Sequence, residues 1–370
     1  MERGSEAQKA EQKASPPAGS HECTLYTLDE ENKAHCFACA RRCTIKPGHS
    51  GYCGVRTNYD GKLMLNVYGR MSAAHIDPIE KKPLYHVIPG ADVVSVGSYG
   101  CNFRCSFCQN WQLSQKTFEW RSKVGDGEAL DGEVVQHCGD YMTPAAIVAI
   151  CKRRRVPLIA FTYNEPSIFG EYCRDVAEAA KAEGIRSVYV TNGYETPEHL
   201  DMIKDLVIAM NIDLKAFTEE FYSRLCKAHL QPVLDCIRNA HERGIWIEIT
   251  TLVIPDENDS SEELTQLAQF IASVSVDIPW HISAFHPDFT MTDKGRTPIS
   301  TMRRAYQIGK EAGLKFVYIG NVQDTSRSTT YCPECDTALI ERSFMTSERL
   351  APFDNGKCGK CGCKLPGIWE

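Results

Sequence analysis

Between residues 90 and 322, short apolar runs alternate with stretches of helical period. The runs at 93–97, 157–163, 186–191, 207–213, 245–253, 281–285 and 315–319 are partly β-branched or aromatic. Each is nearly continuous in hydrophobicity, as strands covered on both faces are. Helical stretches separate them. Two of these open on Thr143-Pro144 and Thr196-Pro197, where a capping hydroxyl precedes a proline at the first helical position. Repeated strand–helix units predict an α/β fold, with a parallel sheet and right-handed crossovers closed or partly closed into a full or partial (β/α) barrel. No repeat with a period of about 20–50 residues is visible beyond that alternation.

The flanks read differently. Residues 1–20 are polar and rich in Ala, Lys, Glu, Ser and Pro, which predicts a disordered tail. Residues 21–89 form a Cys-rich N-terminal extension; its segment 62–75 predicts short strands, and IDPIEKKPLYHVIPG leads into the main domain at 90–322. The polar, Gly-rich stretch near 121–140 predicts an inserted surface loop. From 323 to 370 helical period fades and paired cysteines mark a small C-terminal module. With 43% hydrophobic and 24% charged residues, the 370-residue chain has ample core material, which excludes a mostly disordered, collagenous or coiled-coil protein. A net charge of -7 gives no chain-wide pull toward phosphate backbones or anionic lipid and leaves nucleic acid undecided. No apolar run reaches the ~18 residues a membrane span needs. The N-terminus has no apolar core segment and carries acidic residues, so neither a secretory signal nor a transit peptide is expected and the predicted location is cytoplasmic.

Eighteen cysteines require a chemical reason. They cluster at short spacings, which disulfides do not require, so metal or cluster ligation in a reducing compartment is expected. The sharpest set is Cys101, Cys105 and Cys108, a C-x3-C-x2-C loop directly after the first strand. Three thiolates at this spacing wrap one cubane and leave one iron open to a non-protein ligand. A structural zinc site wants four ligands, and no fourth His or Cys lies nearby in sequence. Polar residues also collect at one end of the predicted strands: Thr162, Asn164 and Glu165; Asn192; Asp213 and Lys215; Thr250; His281 and Ser283; Asn321. In barrels the chemistry gathers at that end, because its loops share one mouth.

With these motifs the chain resembles the radical S-adenosylmethionine (SAM) superfamily, whose fold is a full or partial (β/α) barrel. The resemblance implies a 4Fe-4S cluster on Cys101, Cys105 and Cys108. It further implies SAM on the fourth iron, and one-electron cleavage to a 5'-deoxyadenosyl radical that abstracts hydrogen. Within the superfamily the segment is similar to pyruvate formate-lyase activating enzyme-like proteins. That likeness implies Phe107 near the adenine, Glu165 at the methionyl amine, and Asn192 in VTNG, where Val190 replaces the Asp of the family's DTNG. It also implies Asp213 and Lys215, in IDLK, at the SAM carboxylate and His286 near the adenosyl group. HIDPIEKKPLYH (75–86), GCNFRCSFCQNWQLSQ (100–115) and the terminal cysteines resemble the branch called the AmmeMemoRadiSam system radical SAM enzyme. That branch implies Memo-type and AMMECR-type partner proteins, and the superfamily implies a flavodoxin- or ferredoxin-type electron donor.

Two further cysteine sets flank the main domain. Cys332, Cys335, Cys358 and Cys361 form two C-x2-C knuckles, the pattern of a zinc ribbon, with iron as the rival metal and Cys363 as a substitute for Cys361. Cys36, Cys39, Cys43 and Cys53 have enough thiolates for zinc or an auxiliary cluster, and their spacing leaves open both of these and no metal at all. Cys23, Cys138, Cys151, Cys173, Cys226 and Cys236 stand alone and read as small buried hydrophobes. Asp77, Glu80, Lys81, Lys82 and His86 either line the barrel mouth or form a salt-bridged connector. The expected function is that of a radical SAM oxidoreductase or activase-like enzyme with an unidentified substrate. Its rivals are an activase acting on a protein glycine and a non-catalytic metal-bound interaction protein.

Overall fold

The computed structural model describes residues 15–125, 127, 132–343 and 346–370. Most of the tail expected over 1–20 lies outside these residues. Eight strands build the central sheet: β1 (Ala73–Pro78), β2 (Asp92–Gly97), β3 (Leu158–Phe161), β4 (Arg186–Thr191), β5 (Val207–Asp213), β6 (Trp246–Val253), β7 (Trp280–Ala284) and β8 (Val317–Gly320). They lie side by side in chain order; β2 to β8 are all parallel, and β1 joins β2 antiparallel at one edge. Among the described residues β1 and β8 do not pair with each other, so the sheet is open. Six helices of the crossovers follow: α1 (Pro144–Arg154), α2 (Gly170–Ala182), α3 (Pro197–Ile203), α4 (Leu230–Glu242), α5 (Ser261–Val274) and α6 (Ile299–Glu311). Thr143 and Thr196 cap α1 and α3 as expected, their hydroxyls accepting from Ala146 N and His199 N at 3.2 Å.

The strand pattern explains why the runs are continuous rather than alternating. Ile159 and Phe161 of β3 join the core that includes Ile168 and Tyr172. Leu158 and Ala160 face the other way, against Ile79, Leu84 and Val87 of the segment after β1. Both faces are therefore covered, and every residue of β3 is buried. The expected run 157–163 overshoots because the backbone turns left-handed at Tyr163 (φ +71°). That turn delivers Asn164 and Glu165 to the sheet edge.

The loop expected near 121–140 is corrected in part. Helices occupy Lys116–Val124 and Gly132–Gln136, while residues 126 and 128–131 lie outside the described ones. Phe118 and Val135 are buried, and Arg121 donates to the carbonyls of Gly51 and Tyr52 at 3.1 and 2.9 Å. Such distant partners leave no local periodic signal. The N-terminal residues form small antiparallel sheets, one from Tyr26–Leu28, Ala34–Cys36 and Thr44–Ile45, the other from His21–Glu22, Arg56–Tyr59 and Lys62–Leu65. Among the described residues no helix is long and apolar enough to cross a membrane.

A buried ion pair joins the extension to the main domain. The Arg56 guanidinium meets the Glu171 carboxylate of α2 at 2.6 and 3.1 Å and donates to the carbonyls of Ile168 and Ser167. Burial pushes the Glu171 carboxyl up, but Arg56 outweighs it and brings the group from 4.5 down to about 2. Arg56→Met strands a charge in the interior and is expected to destabilise the fold by ~3–5 kcal/mol in denaturant melts at neutral pH, with Arg56→Met/Glu171→Met recovering most of the loss. The pair's contribution is present above the unfolded carboxyl's pKa and lost as pH falls toward that of the folded state. The gap between wild type and variant should therefore narrow below pH 4.5; a pH-independent gap contradicts this account.

Candidate functional site

The loop after β2 is fixed from two sides before any cofactor chemistry begins. From the loop after β3, the Asn164 side chain donates to Gly100 O at 2.9 Å and accepts from Ser98 N at 3.0 Å. From the other side, Arg104 N and Ser106 N donate to the carbonyls of Cys226 and Leu225 at the end of the short helix Tyr222–Cys226. Gly100 adopts φ +83°, and a Cβ there would lie 2.9 Å from Cys53 O, so the turn needs glycine on both counts. The loop carries Cys101 and Cys105, both buried, and the half-buried Cys108.

These three thiols line one large cavity of about 1170 Å³ at the C-terminal edge of the sheet. Phe103 N approaches Cys101 Sγ at 3.4 Å, the Asn192 amide lies 3.9 Å from the same sulfur, and Ser114 Oγ stands 3.1 Å from Cys108 Sγ. Burial pushes the Cys101 and Cys108 thiols up. For Cys105 the first cause is a hydrogen bond with Cys226, followed by burial. Cys226, expected to be an isolated hydrophobe, therefore backs the cysteine loop. It does not line the cavity.

Five of the six other predicted site residues line the same cavity: Phe107, Glu165, Asn192, Asp213 and Lys215. Glu165 accepts from Ser167 N, Thr191 Oγ1 and Asn192 N at 2.9–3.1 Å, which locks the carboxylate. Asn192 donates to Asn102 Oδ1 at 2.7 Å, while its own Oδ1 is buried without a partner. Lys215 Nζ meets Asp213 Oδ2 at 2.7 Å and lies 6.0 Å from the Phe107 ring centre. Burial pulls the Lys215 ammonium down, but the Asp213 carboxylate, foremost among the neighbouring charges, outweighs it and holds it well above its usual range. His286 is the exception. It stands outside the cavity lining, with Nε2 at 3.0 Å from Gln109 Nε2.

The cavity lining answers the question left open for 77–86. Lys81 and Lys82 both bind Asp77 at 2.8 Å, as does the Tyr163 hydroxyl, and Glu80, Lys81 and Lys82 also line the cavity. The segment is a salt-bridged connector and a cavity wall at once. His86 is buried behind it, between Pro366 O and Tyr318 Oη, both at 2.8 Å. Deeper in, the fully buried Glu248 accepts from His281 at 2.6 Å and from the backbone of Tyr85 and His86 at 2.9 and 2.8 Å. Sequence reading missed Glu195. Its carboxyl is raised well above its usual range, first by burial and then by the nearby Glu165. A glutamate two residues after the VTNG motif was the available signal.

In the C-terminal module Cys332, Cys335, Cys358 and Cys361 bring their sulfurs within 4.8 Å of one another, with pairs at 3.5 and 3.7 Å. A tetrahedral ion with metal–sulfur bonds of ~2.3 Å separates its ligands by about 3.8 Å, so this set fits a single ion and Cys361 rather than Cys363 completes it.

The family model described as the Radical SAM superfamily matches residues 95–268. An uncharacterized protein of Methanocaldococcus jannaschii is 38% identical over 93% of this chain and 98% of its own length. The pyruvate formate-lyase-activating enzyme of Listeria monocytogenes is 23% identical over 49% of this chain and 72% of its own. Among solved structures, a radical SAM methyltransferase from Sphaerobacter thermophilus aligns with a TM-score of 0.46 at 18% identity, covering 62% of this chain and 66% of that one.

Cys335→Ser is expected to release one metal ion per chain and lower the melting temperature, read by elemental analysis and thermal denaturation. An unchanged metal content contradicts a site built on these four sulfurs.

Proposed function

The chain belongs to the radical SAM superfamily of enzymes, and we propose that Cys101, Cys105 and Cys108 hold a 4Fe-4S cluster with S-adenosylmethionine in the cavity beside it. The observation that carries this reading is that three thiols and a fixed anion–cation pair line one cavity with the unpartnered, buried Asn192 Oδ1. The donor set fits: cysteine thiolates are the ligands of such clusters, and three of them leave one iron for the cofactor. When bound, the pair supplies one-electron cleavage of the sulfonium and a 5'-deoxyadenosyl radical that takes hydrogen from a substrate.

The chain's own residues bind and orient. Lys215, kept charged and aimed by Asp213, suits the cofactor's carboxylate. Glu165, immobilised by three donors, offers a fixed negative charge to the methionyl ammonium. Phe107, buried and edged by Phe221, forms an apolar wall for the adenine. His286 stands outside the cavity lining, 3.0 Å from Gln109, which does line it. Lys81 and Lys82, both paired with Asp77, line the cavity together with Glu80 and Arg296. The activating-enzyme relatives support a second reading, in which the hydrogen comes from a glycine of a partner protein. A flavodoxin- or ferredoxin-type donor belongs to either reading, Memo-type and AMMECR-type partners follow from the branch motifs, and zinc is the metal we assign to the C-terminal set.

Anaerobically reconstituted protein is expected to carry about four irons on this site and to form 5'-deoxyadenosine from SAM on chemical reduction. Cys105→Ala abolishes both. Lys215→Met weakens SAM binding roughly 10- to 100-fold, the loss of one charge-assisted bond, in equilibrium binding measurements. Formation of no 5'-deoxyadenosine, beside a radical SAM enzyme that makes it under the same conditions, overturns the reading.

A further inference from the structure

The first cavity does not involve the N-terminal cysteines, yet they form a site of their own. Cys36, Cys39, Cys43 and Cys53 line one small cavity together with Arg41, Arg42 and Arg56. The four residues come from three places: the end of the Ala34–Cys36 strand, the turn after it, and the segment before Arg56. The C-terminal set is a yardstick within the same molecule. There the sulfurs close to within 4.8 Å, the spacing around a single ion; among the described residues the N-terminal four do not draw together that tightly. They stand around a space instead. A polynuclear cluster demands this, because its irons and sulfides sit between the thiolates, whereas a single zinc ion pulls four sulfurs into mutual contact.

The lining fits a cluster in two further ways. Tyr52 N donates to Cys43 Sγ at 3.5 Å, and the backbone N–H groups of Ala38 and Arg41 face the sulfurs of Cys36 and Cys39. Such N–H bonds hold thiolates and tune the potential of iron–sulfur centres. Ser167 also lines the cavity. It is fully buried, and its hydroxyl has no hydrogen-bond partner, so a donor stands ready for a sulfide or a thiolate.

The site also abuts the first one. Cys39 pairs with Glu195 in a short antiparallel bridge, and Ala40 N donates to Tyr194 O, two residues beyond Asn192. Arg41 donates to Asn102 O at 3.0 Å, inside the first cysteine loop, and stacks 3.9 Å from the ring centre of Tyr52. Tyr52 directly precedes Cys53, and Cys53 O packs against Gly100.

We propose that Cys36, Cys39, Cys43 and Cys53 ligate a second iron–sulfur cluster seated directly behind the Cys101–Cys108 loop. Its part-exposed ligands Cys39 and Cys43 give a ferredoxin- or flavodoxin-type donor an approach that avoids the large cavity. In that exchange the donor loses one electron and the second cluster gains it, with no bond broken.

The test is iron, acid-labile sulfide and zinc per chain, with electron paramagnetic resonance after reduction, on anaerobically purified full-length protein. It compares wild type, Cys101→Ala/Cys105→Ala/Cys108→Ala, and Cys36→Ala/Cys43→Ala. The triple variant is expected to keep about two or about four irons with matching sulfide and a paramagnetic signal, the contents of one four-cysteine cluster. The double variant should lose that share alone. The proposal is overturned if the triple variant holds no sulfide-bearing iron, or if zinc rises to two ions per chain in its place. Equal iron in wild type and triple variant, all of it removed in the double variant, supports this site while refuting the cluster assigned to Cys101, Cys105 and Cys108. Because the triple variant leaves the N-terminal cysteines intact, its cluster content decides the matter even if the double variant misfolds.

Discussion

One side-chain amide holds the site together. Asn164 bonds the loop after β2 at two points, and the helix end at Leu225 and Cys226 grips the same loop from the far side. Three thiols are thereby held at the C-terminal edge of a parallel sheet, where successive strands also deliver Glu165, Asn192, Asp213 and Lys215. A loop free to move would let its cysteines pair with one another or with solvent. Fixed in place, they present sulfur to a cavity.

Charge is arranged around that geometry with little waste. Asp213 keeps Lys215 cationic against its burial, and Glu165 is immobilised by three donors beside Glu195, whose carboxyl is pushed up by burial. The segment after β1 does two jobs. Ile79, Leu84 and Val87 cover one face of the sheet, while Lys81 and Lys82, bound to Asp77, line the cavity. Arg56 and Glu171 repeat the theme on the other side, where a fully buried pair fastens the cysteine-bearing extension to α2.

Much of this was legible in the sequence. The runs at 186–191 and 207–213 are strands at those very residues, because both faces of each are covered and the apolar signal is unbroken. The strand-end polar residues were legible for a topological reason, since parallel connections send every such end to one side of the sheet. What escaped depends on contacts across long separations. Helix Lys116–Val124 rests on Arg121 reaching back to Gly51 and Tyr52, and the bridge between Cys39 and Glu195 joins residues far apart in the chain. His286 follows the buried Phe285, and only the path of the loop decides that it contacts Gln109 instead of lining the cavity. Cys226 carried no motif of its own, and its place behind Cys105 arises from the packing of the Tyr222–Cys226 turn against the cysteine loop.

The central claim is that the protein grips its first cluster through three sulfurs only, and that SAM takes the remaining iron. Electron–nuclear double resonance on the reduced protein with SAM labelled at its amine nitrogen and carboxylate oxygen addresses this directly. The account predicts hyperfine coupling from both labels to the cluster. A spectrum without either coupling, or one with Cys226 bound to the fourth iron, contradicts it.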